Sequence, residues 1–528
     1  MPWPRCGTRQ PAPRWPLWLI SFLTLACVLI LLLLNWAPSE TFTSNHLFLD
    51  ALRPHASHPT NDPSAGTTEF YQWHTTSSFH PVNFPNAKSL STDSLCAAFP
   101  PAILDSIQPV FKTGHALLGD RVRAHLQTVS ACLPELLIFS DADDTFHGHH
   151  VIDIIADIPA HLPHVWDHRE NQWEPYEQLH ALLANGTLDQ VDASTLQGWK
   201  TDKFKFLPGI SRAWRMRPGK EWYVFFEDDT YIMWDSLFRM LGELDPNAPW
   251  YLGDPSPGRK PDPDSPKVWF ANGGPGYILS RAAMQILVRD DYHPRTGDYL
   301  GTRLTEKWWE PETLTNCCGD SILGWVLWNE GVNVSGIWPM ISTERPAKIP
   351  YTRKYWCKPV VSMHRVIGNE MLDLWHWEWE NRKPDRPILY RDLAMSYLGF
   401  HDISPRVNWD NTGRGSHNAP SESEHYHHDP NASFEACGTA CEATPACMQY
   451  SYRLRTCKFN HALIYGEERA PELGRLWDDI LPEESRMEWT EDEMTFRAGW
   501  VEDRVADWLG NERCESVEWV RPSIERVD

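Results

Sequence analysis

The chain has 528 residues, 42% hydrophobic and 23% charged, which is enough for two or three domains with packed cores. Its formal charge of −23 leaves no basic surplus to neutralise phosphates and argues against a nucleic-acid partner. No P-loop or dinucleotide fingerprint occurs, which sets aside kinase and Rossmann dehydrogenase chemistry.

The first element in chain order is LWLISFLTLACVLILLLL, Leu17 to Leu34, an uncharged run bracketed by Trp15 and Trp36. It predicts a membrane-spanning signal anchor over 17–36. Arg5, Arg9 and Arg14 precede it while Glu40 and Asp50 follow, so residues 1–16 form a cytoplasmic tail and the remainder is lumenal. A cleaved signal peptide would have a shorter apolar core and an A-x-A-like site after it. Ten of the twelve cysteines lie beyond the anchor, in a compartment where disulfides persist, and glycosylation sequons begin at Asn185, Asn333 and Asn431. Residues 37–93, rich in Ser, Thr, Pro, His and Asn, read as a flexible stem.

A body follows over 94–408. LLIFSD, Leu136 to Asp141, is the first buried-strand candidate, and HHVIDIIAD comes after it. In GWKTDKFKFLPGISRAWRM, Phe204, Leu207, Ile210 and Trp214 recur at helical spacing. WYVFFEDDTYIMW, Trp222 to Trp234, opens as a strand and then places Glu227, Asp228 and Asp229 at its end; a helix begins after Thr230. Alternating strand-like and helical pieces predict an α/β domain with a mainly parallel sheet.

Burying unpaired carboxylates is costly, so the three acids need positive charge to meet them. Hard divalent cations take oxygen ligands and bridge to substrate phosphates, so this strand end suits an ion that grips a diphosphate. Acidic residues also end strands and cap helices with no ion present, and the triplet by itself leaves both readings open. Further on, KVWFANGGPGYILS carries Gly273, Gly274 and Gly276, in a turn that lets backbone approach a ligand or simply turns tightly. Asp320 in CCGDSILGWVL stands at a helix start.

Residues 409–430 read as a polar linker; His425, His427 and His428 offer a metal reading, which the solvated-linker reading outweighs. Within 431–465, Cys437, Cys441, Cys447 and Cys457 crowd together; Cys437 and Cys441 are one helical turn apart, and the lumen favours disulfides over zinc. Residues 466–528, rich in Trp and acid, carry no functional signal.

Taken in order, LLIFSD, GWKTDKFKFLPGI, WYVFFEDDTYIMW, FANGGPGYILS, CCGDSILGWVL and PVVSMHRV resemble the fringe-like branch of glycosyltransferase family 31, above all its fungal members and core 1 β1,3-galactosyltransferases. The resemblance covers about Cys132 to Tyr397. It implies a Rossmann-like GT-A fold, an inverting mechanism, a UDP-sugar donor, Mn²⁺ or another divalent cation, a glycan or glycoprotein acceptor, and a single-pass type II Golgi anchor. On this chain the family's metal motif falls on Glu227, Asp228 and Asp229, where the usual first Asp is replaced by Glu227. Asp229 matches the direct ligand, Asp228 is placed near the donor ribose and the metal, and the later His ligand matches His364. Asp320 matches the general base, Gly273 and Gly274 part of the floor, and Asp202 and Lys203 donor contacts. The implied activity is transfer of galactose from UDP-galactose in β1,3 linkage. The alternatives are another donor such as UDP-N-acetylglucosamine, hydrolysis of the nucleotide sugar, or a non-catalytic glycan-binding protein. The C-terminal cysteines resemble a PAN/Apple module, a small α+β unit whose nested bridges would pair Cys437 with Cys457 and Cys441 with Cys447. Donor, acceptor and oligomeric state are left open, as is the pairing of Cys96, Cys132, Cys317, Cys318, Cys357 and Cys514.

Overall fold

The computed structural model describes residues 70–71, 76–158, 173–292, 295–296, 299–302, 318–421, 423–472 and 489–523. The expected anchor at 17–36, most of the stem, Cys317 and residues 473–488 lie outside them. Among the described residues no helix is long and apolar enough to cross a membrane.

Eight strands form the central sheet: β1 Ile107–Lys112, β2 Leu137–Ser140, β3 Asp144–Phe146, β4 His149–Asp153, β5 Trp222–Glu227, β6 Tyr251–Gly253, β7 Tyr277–Ser280 and β8 Ser335–Gly336. Their order is β8-β6-β7-β5-β1-β2-β4-β3. The middle strands β5, β1, β2 and β4 run parallel, while β7 is antiparallel to both β5 and β6, and β3 to β4. The sheet is therefore mixed, with parallel strands at its centre.

Both faces of the sheet are covered, which is why β5 reads as an unbroken apolar run. Trp222, Val224 and Phe226 enter one core, and Tyr223 and Phe225 the other. Helices α1 Glu174–Asn185, α2 Phe206–Met216, α3 Trp234–Leu241, α4 Arg281–Val288, α5 Gly319–Asn329 and α6 Gly368–Asn381 accompany the sheet. Leu207 and Ile210 of α2, Met284 and Leu287 of α4 and Leu323 and Leu327 of α5 pack in the second core; Leu237 and Met240 of α3 and Leu374 and Trp375 of α6 pack in the first.

A three-stranded ribbon matters most to the site. Tyr231–Ile232 pairs antiparallel with Ser362–Met363, which also runs parallel to Ile341–Ser342. The register sets Met363 opposite Tyr231, and beyond it Val366 N–H donates to the Asp229 carbonyl at 3.0 Å. Residues separated by more than a hundred positions in sequence thereby meet.

The expected boundaries differ from the observed ones. Residues 76–93, assigned to the stem, belong to the body: Phe79 is wholly buried, packed edge-on against Phe99 and Trp379. The segment 409–430 is no free linker. Trp409–Asp410 pairs with Glu467–Glu468, and His417–Asn418 adds a strand beside Thr456–Asn460. An antiparallel sheet of five strands runs in the order Arg406–Val407, Arg497–Trp500, Gln449–Arg453, Thr456–Asn460 and His417–Asn418, so it draws strands from 94–408, from the linker and from the C-terminal extension. Helix α7 Phe434–Ala443 packs on it, held by the nested disulfides Cys437–Cys457 and Cys441–Cys447. Two further bridges, Cys96–Cys132 and Cys357–Cys514, staple the body. Trp519–Val520 pairs with Phe70–Tyr71, and Trp500, Val505 and Trp519 share the first core, so the C-terminal residues complete the body rather than trail from it.

Candidate functional site

The carboxyl ends of parallel strands are where open α/β sheets collect ligands, and here the ends of β1, β2 and β5 carry nearly every charged group of interest. Lys112 and Glu227 are register partners on β1 and β5, with Nζ 2.9 Å from Oε1. One position on, Thr113 Oγ1 donates to Asp228 Oδ2 at 2.6 Å. Arg121 reaches over from the Leu118–Val122 turn, placing Nη1 3.1 Å from Asp228 Oδ1 and 3.5 Å from Asp229 Oδ2. Beyond β2, Asp141 Oδ2 accepts from Lys205 Nζ at 3.0 Å and Oδ1 from the His115 N–H at 2.7 Å. Asp202 pairs with Lys112.

His364 closes the far side, its Nε2 3.2 Å from Asp229 Oδ1. Gly274 makes this approach possible: a Cβ there would lie 2.2 Å from His364 Cε1. Gly273 lies between Glu227 and Asp320, where a Cβ would sit 3.3 Å from Glu227 Oε1 and 3.4 Å from Asp320 Cβ. Its N–H donates to Asp320 Oδ2 at 3.0 Å, and the Ser321 N–H donates to Oδ1 at 2.7 Å, so Asp320, in the first turn of helix α5, faces the glycine floor.

A cavity of about 370 Å³ opens beside the acids. Lys112, Thr113, Arg121, Asp141, Asp202 and Lys205 form its polar wall; Leu117, Leu179 and Leu196 form an apolar end, with Trp199 at its rim, 74% exposed.

The electrostatics follow from burial and pairing. Burial pushes Glu227 up, and the negative charges of Asp202 and Asp229 add to this, while Lys112 opposes it. Asp228 is also raised by burial and by Asp229, against the Thr113 hydroxyl and Arg121. Burial alone would raise Asp229, but the bond to His364 and the charge of Arg121 outweigh it and hold the carboxyl below its usual range. Asp320 is pushed up by burial, with the Gly273 and Ser321 N–H groups opposing.

Among the described residues, Glu227, Asp229 and His364 are the one group of acid and imidazole side chains with ligand atoms close enough to share an ion, all within 4.8 Å of one another. Two ligand atoms about 2.0 to 2.6 Å from an ion and at right angles to each other lie about 2.8 to 3.7 Å apart; the Asp229–His364 separation of 3.2 Å falls in that window. The donor set is compatible with Mn²⁺: the two carboxylates suit it, and a single imidazole, which suits zinc better, is acceptable among oxygen ligands. Around the cavity five carboxylates (Asp141, Asp202, Glu227, Asp228 and Asp229) face three cations (Lys112, Arg121 and Lys205), leaving two formal negative charges for a divalent cation to offset.

The sequence expectation gave Asp228 as a ligand and Glu227 as a cofactor contact within the same acidic motif. In the structure Thr113 and Arg121 bond both Asp228 oxygens, while a Glu227 oxygen lies within 4.8 Å of ligand atoms of Asp229 and His364. Asp202 lines the cavity as expected, whereas Lys203 holds its ammonium 5.1 Å from the Phe204 ring and Lys205 takes the place on the wall. Lys112, Thr113, Arg121, Asp141 and Lys205 were not foreseen as site residues; the register of β1 on β5 is the signal that would have found the first two. Of the expected glycosylation sites, Asn185 and Asn333 are exposed, but Asn431 Oδ1 accepts from the Cys457 N–H at 2.8 Å.

Comparison with known proteins gives a consistent picture for one segment. The model of the Fringe-like family matches residues 207–323. Over 77 residues the chain is 38% identical to the Fringe glycosyltransferase of Drosophila melanogaster, covering 13% of this chain and 19% of that protein. Over 76 residues it is 33% identical to the beta-1,3-N-acetylglucosaminyltransferase radical fringe of Gallus gallus, covering 12% and 20%. The chain thus matches about a fifth of the length of these curated relatives. Residues 207–323 are a Fringe-like segment, and they carry the acidic strand end, the glycine floor and Asp320.

Proposed function

We propose that this chain is an inverting glycosyltransferase of GT-A type that moves a hexose from a UDP-sugar to a glycan hydroxyl in β1,3 linkage. The observation that carries the reading is the meeting of Asp229 and His364 at the end of β5, beside a cavity of nucleotide size with three cations in its wall. Asp229, His364 and Glu227 would hold a divalent cation such as Mn²⁺, which would supply neutralising charge for the departing diphosphate. Lys112 and Arg121 face the same region, and the apolar end at Leu117, Leu179 and Leu196 suits the nucleoside base.

Asp320 is the base in this reading. Its carboxylate accepts the acceptor hydroxyl proton as that oxygen bonds to the anomeric carbon, while the bond from that carbon to the diphosphate oxygen breaks and UDP leaves. Burial raises its proton affinity, and the two backbone N–H groups fix its direction.

Galactose, the sequence expectation for the donor, loses its support, since the relative whose name states a donor uses N-acetylglucosamine. UDP-N-acetylglucosamine is therefore the first donor to test. A lumenal Golgi setting, with 17–36 as anchor, accords with the disulfides found among the described residues and with the sequons. The α7 module fits a PAN/Apple-like unit in its helix, its antiparallel sheet and its bridges.

UDP release by the full-length chain, measured against a panel of UDP-sugars with and without glycan acceptors and Mn²⁺, tests the proposal. Acceptor-dependent release that Asp229→Ala abolishes is the expected result; no release with any donor, or undiminished release by the variant, refutes it.

A further inference from the structure

Thr230 is wholly buried and joins three parts of the site. Its hydroxyl accepts from the Glu227 N–H at 2.9 Å and donates to the Gly274 carbonyl at 2.6 Å. Its own carbonyl accepts from His125 Nε2 at 2.9 Å. Glu227 ends a strand, whereas Gly274 lies some forty-seven positions later in the loop before β7. Gly274 in turn is the surface on which the His364 ring rests. The same loop is also held by Ser362, whose Oγ donates to the Pro275 carbonyl at 2.7 Å.

We infer that Thr230 is a positioning residue for the ion site: its hydroxyl clamps the glycine loop to the acidic turn at the spacing that brings His364 within one ion's reach of Asp229. The inference rests on the metal reading above. The Thr230 hydroxyl touches none of the three sets of ligand atoms, and acts through the Gly274 carbonyl and the Glu227 backbone N–H. A purely structural Thr230 would satisfy two buried backbone groups and nothing more; its loss would then lower thermal stability and leave ion affinity alone. A positioning Thr230 sets affinity, as groups that orient metal ligands do, by about 10- to 100-fold.

The test uses the full-length chain and Mn²⁺ alone, with free ion read by electron paramagnetic resonance well below the melting temperature. Thr230→Val keeps the shape and removes the hydroxyl, and is expected to weaken Mn²⁺ binding by roughly 10-fold or more. Thr230→Ser keeps both hydrogen bonds and is expected to restore the affinity. Should the valine variant fail to fold, Thr230→Ala is the smaller deletion with the same expected loss. Unchanged Mn²⁺ affinity in the valine or alanine variant overturns the inference, as does an equal loss in the serine variant. If the unmodified chain itself binds no Mn²⁺, the metal reading falls and this inference with it.

Discussion

Lys112 Nζ and Glu227 Oε1 lie 2.9 Å apart across two adjacent parallel strands, at positions that the β1–β5 register makes direct partners. Lys112 also holds Asp202 and sits 4.4 Å from the Phe206 ring centroid, so it neutralises acids from two elements. Because both side chains are largely withdrawn from water, removing one partner leaves a charge uncompensated. Lys112→Met should destabilise the chain by about 3 kcal/mol. Adding Glu227→Gln should recover part of that loss, since the orphaned charge goes with it. Urea unfolding of the two single variants and the double variant measures the coupling; purely additive effects would rule it out.

Gly274→Ala should disable the proposed ion site while leaving the body folded. The added methyl falls 2.2 Å from His364 Cε1, and the ring can yield by rotating, away from Asp229. A displacement of about 1 Å at a reacting centre costs on the order of 100-fold in rate. Turnover measured across a Mn²⁺ titration, beside a thermal melt, checks this; wild-type turnover would show that His364 has no need of that place.

How much of this was legible in the sequence depends on what each residue answers to. Strand β5 was visible because both its faces are buried and every position is apolar until the acids. Strand β1 was not. Pro109 interrupts IQPVFK, and a proline argues against a central strand, yet Pro109 lies opposite Val224 in mid-sheet. With β1 unseen, Lys112 and Thr113 had no position to be read from. His364 lacks any local signal, and entered only through the family resemblance; the ribbon that carries it to Asp229 is built of two-residue strands, too short for periodicity to show. The supposed linker failed likewise, because His417–Asn418 is polar and exposed and pairs only by tertiary context.

Asp320 should impose an acid limb on the rate. As the proposed base it works only when ionised, so kcat/KM is expected to fall as pH drops through its folded-state pKa. Burial raises that pKa above the ordinary carboxylate value, which places the limb at higher pH than a solvent-exposed Asp would give. Asp320→Asn should lower kcat by about 10² to 10⁴-fold while leaving donor KM nearly unchanged. A pH profile of UDP release tests both statements; a limb that persists in the asparagine variant would assign it to another group.

His125 should make stability fall with acid below neutrality. It is wholly buried, with Nε2–H directed at the Thr230 carbonyl and Nδ1 accepting from the Ser130 hydroxyl at 2.8 Å. Burial lowers its pKa to about 4, against a small opposing effect from the Thr230 carbonyl. Above pH 6.5 both folded and unfolded chains carry it neutral, and it contributes no pH dependence. Between about 6.5 and 4 the unfolded chain takes up a proton that the folded chain refuses, so stability declines by roughly 3 kcal/mol in all before levelling off. Urea unfolding at successive pH values should show this one-proton slope, and His125→Gln should remove it. A slope unaltered by that substitution would mean that the imidazole is protonated in place, and that Thr230 is held by a cation rather than by a neutral ring.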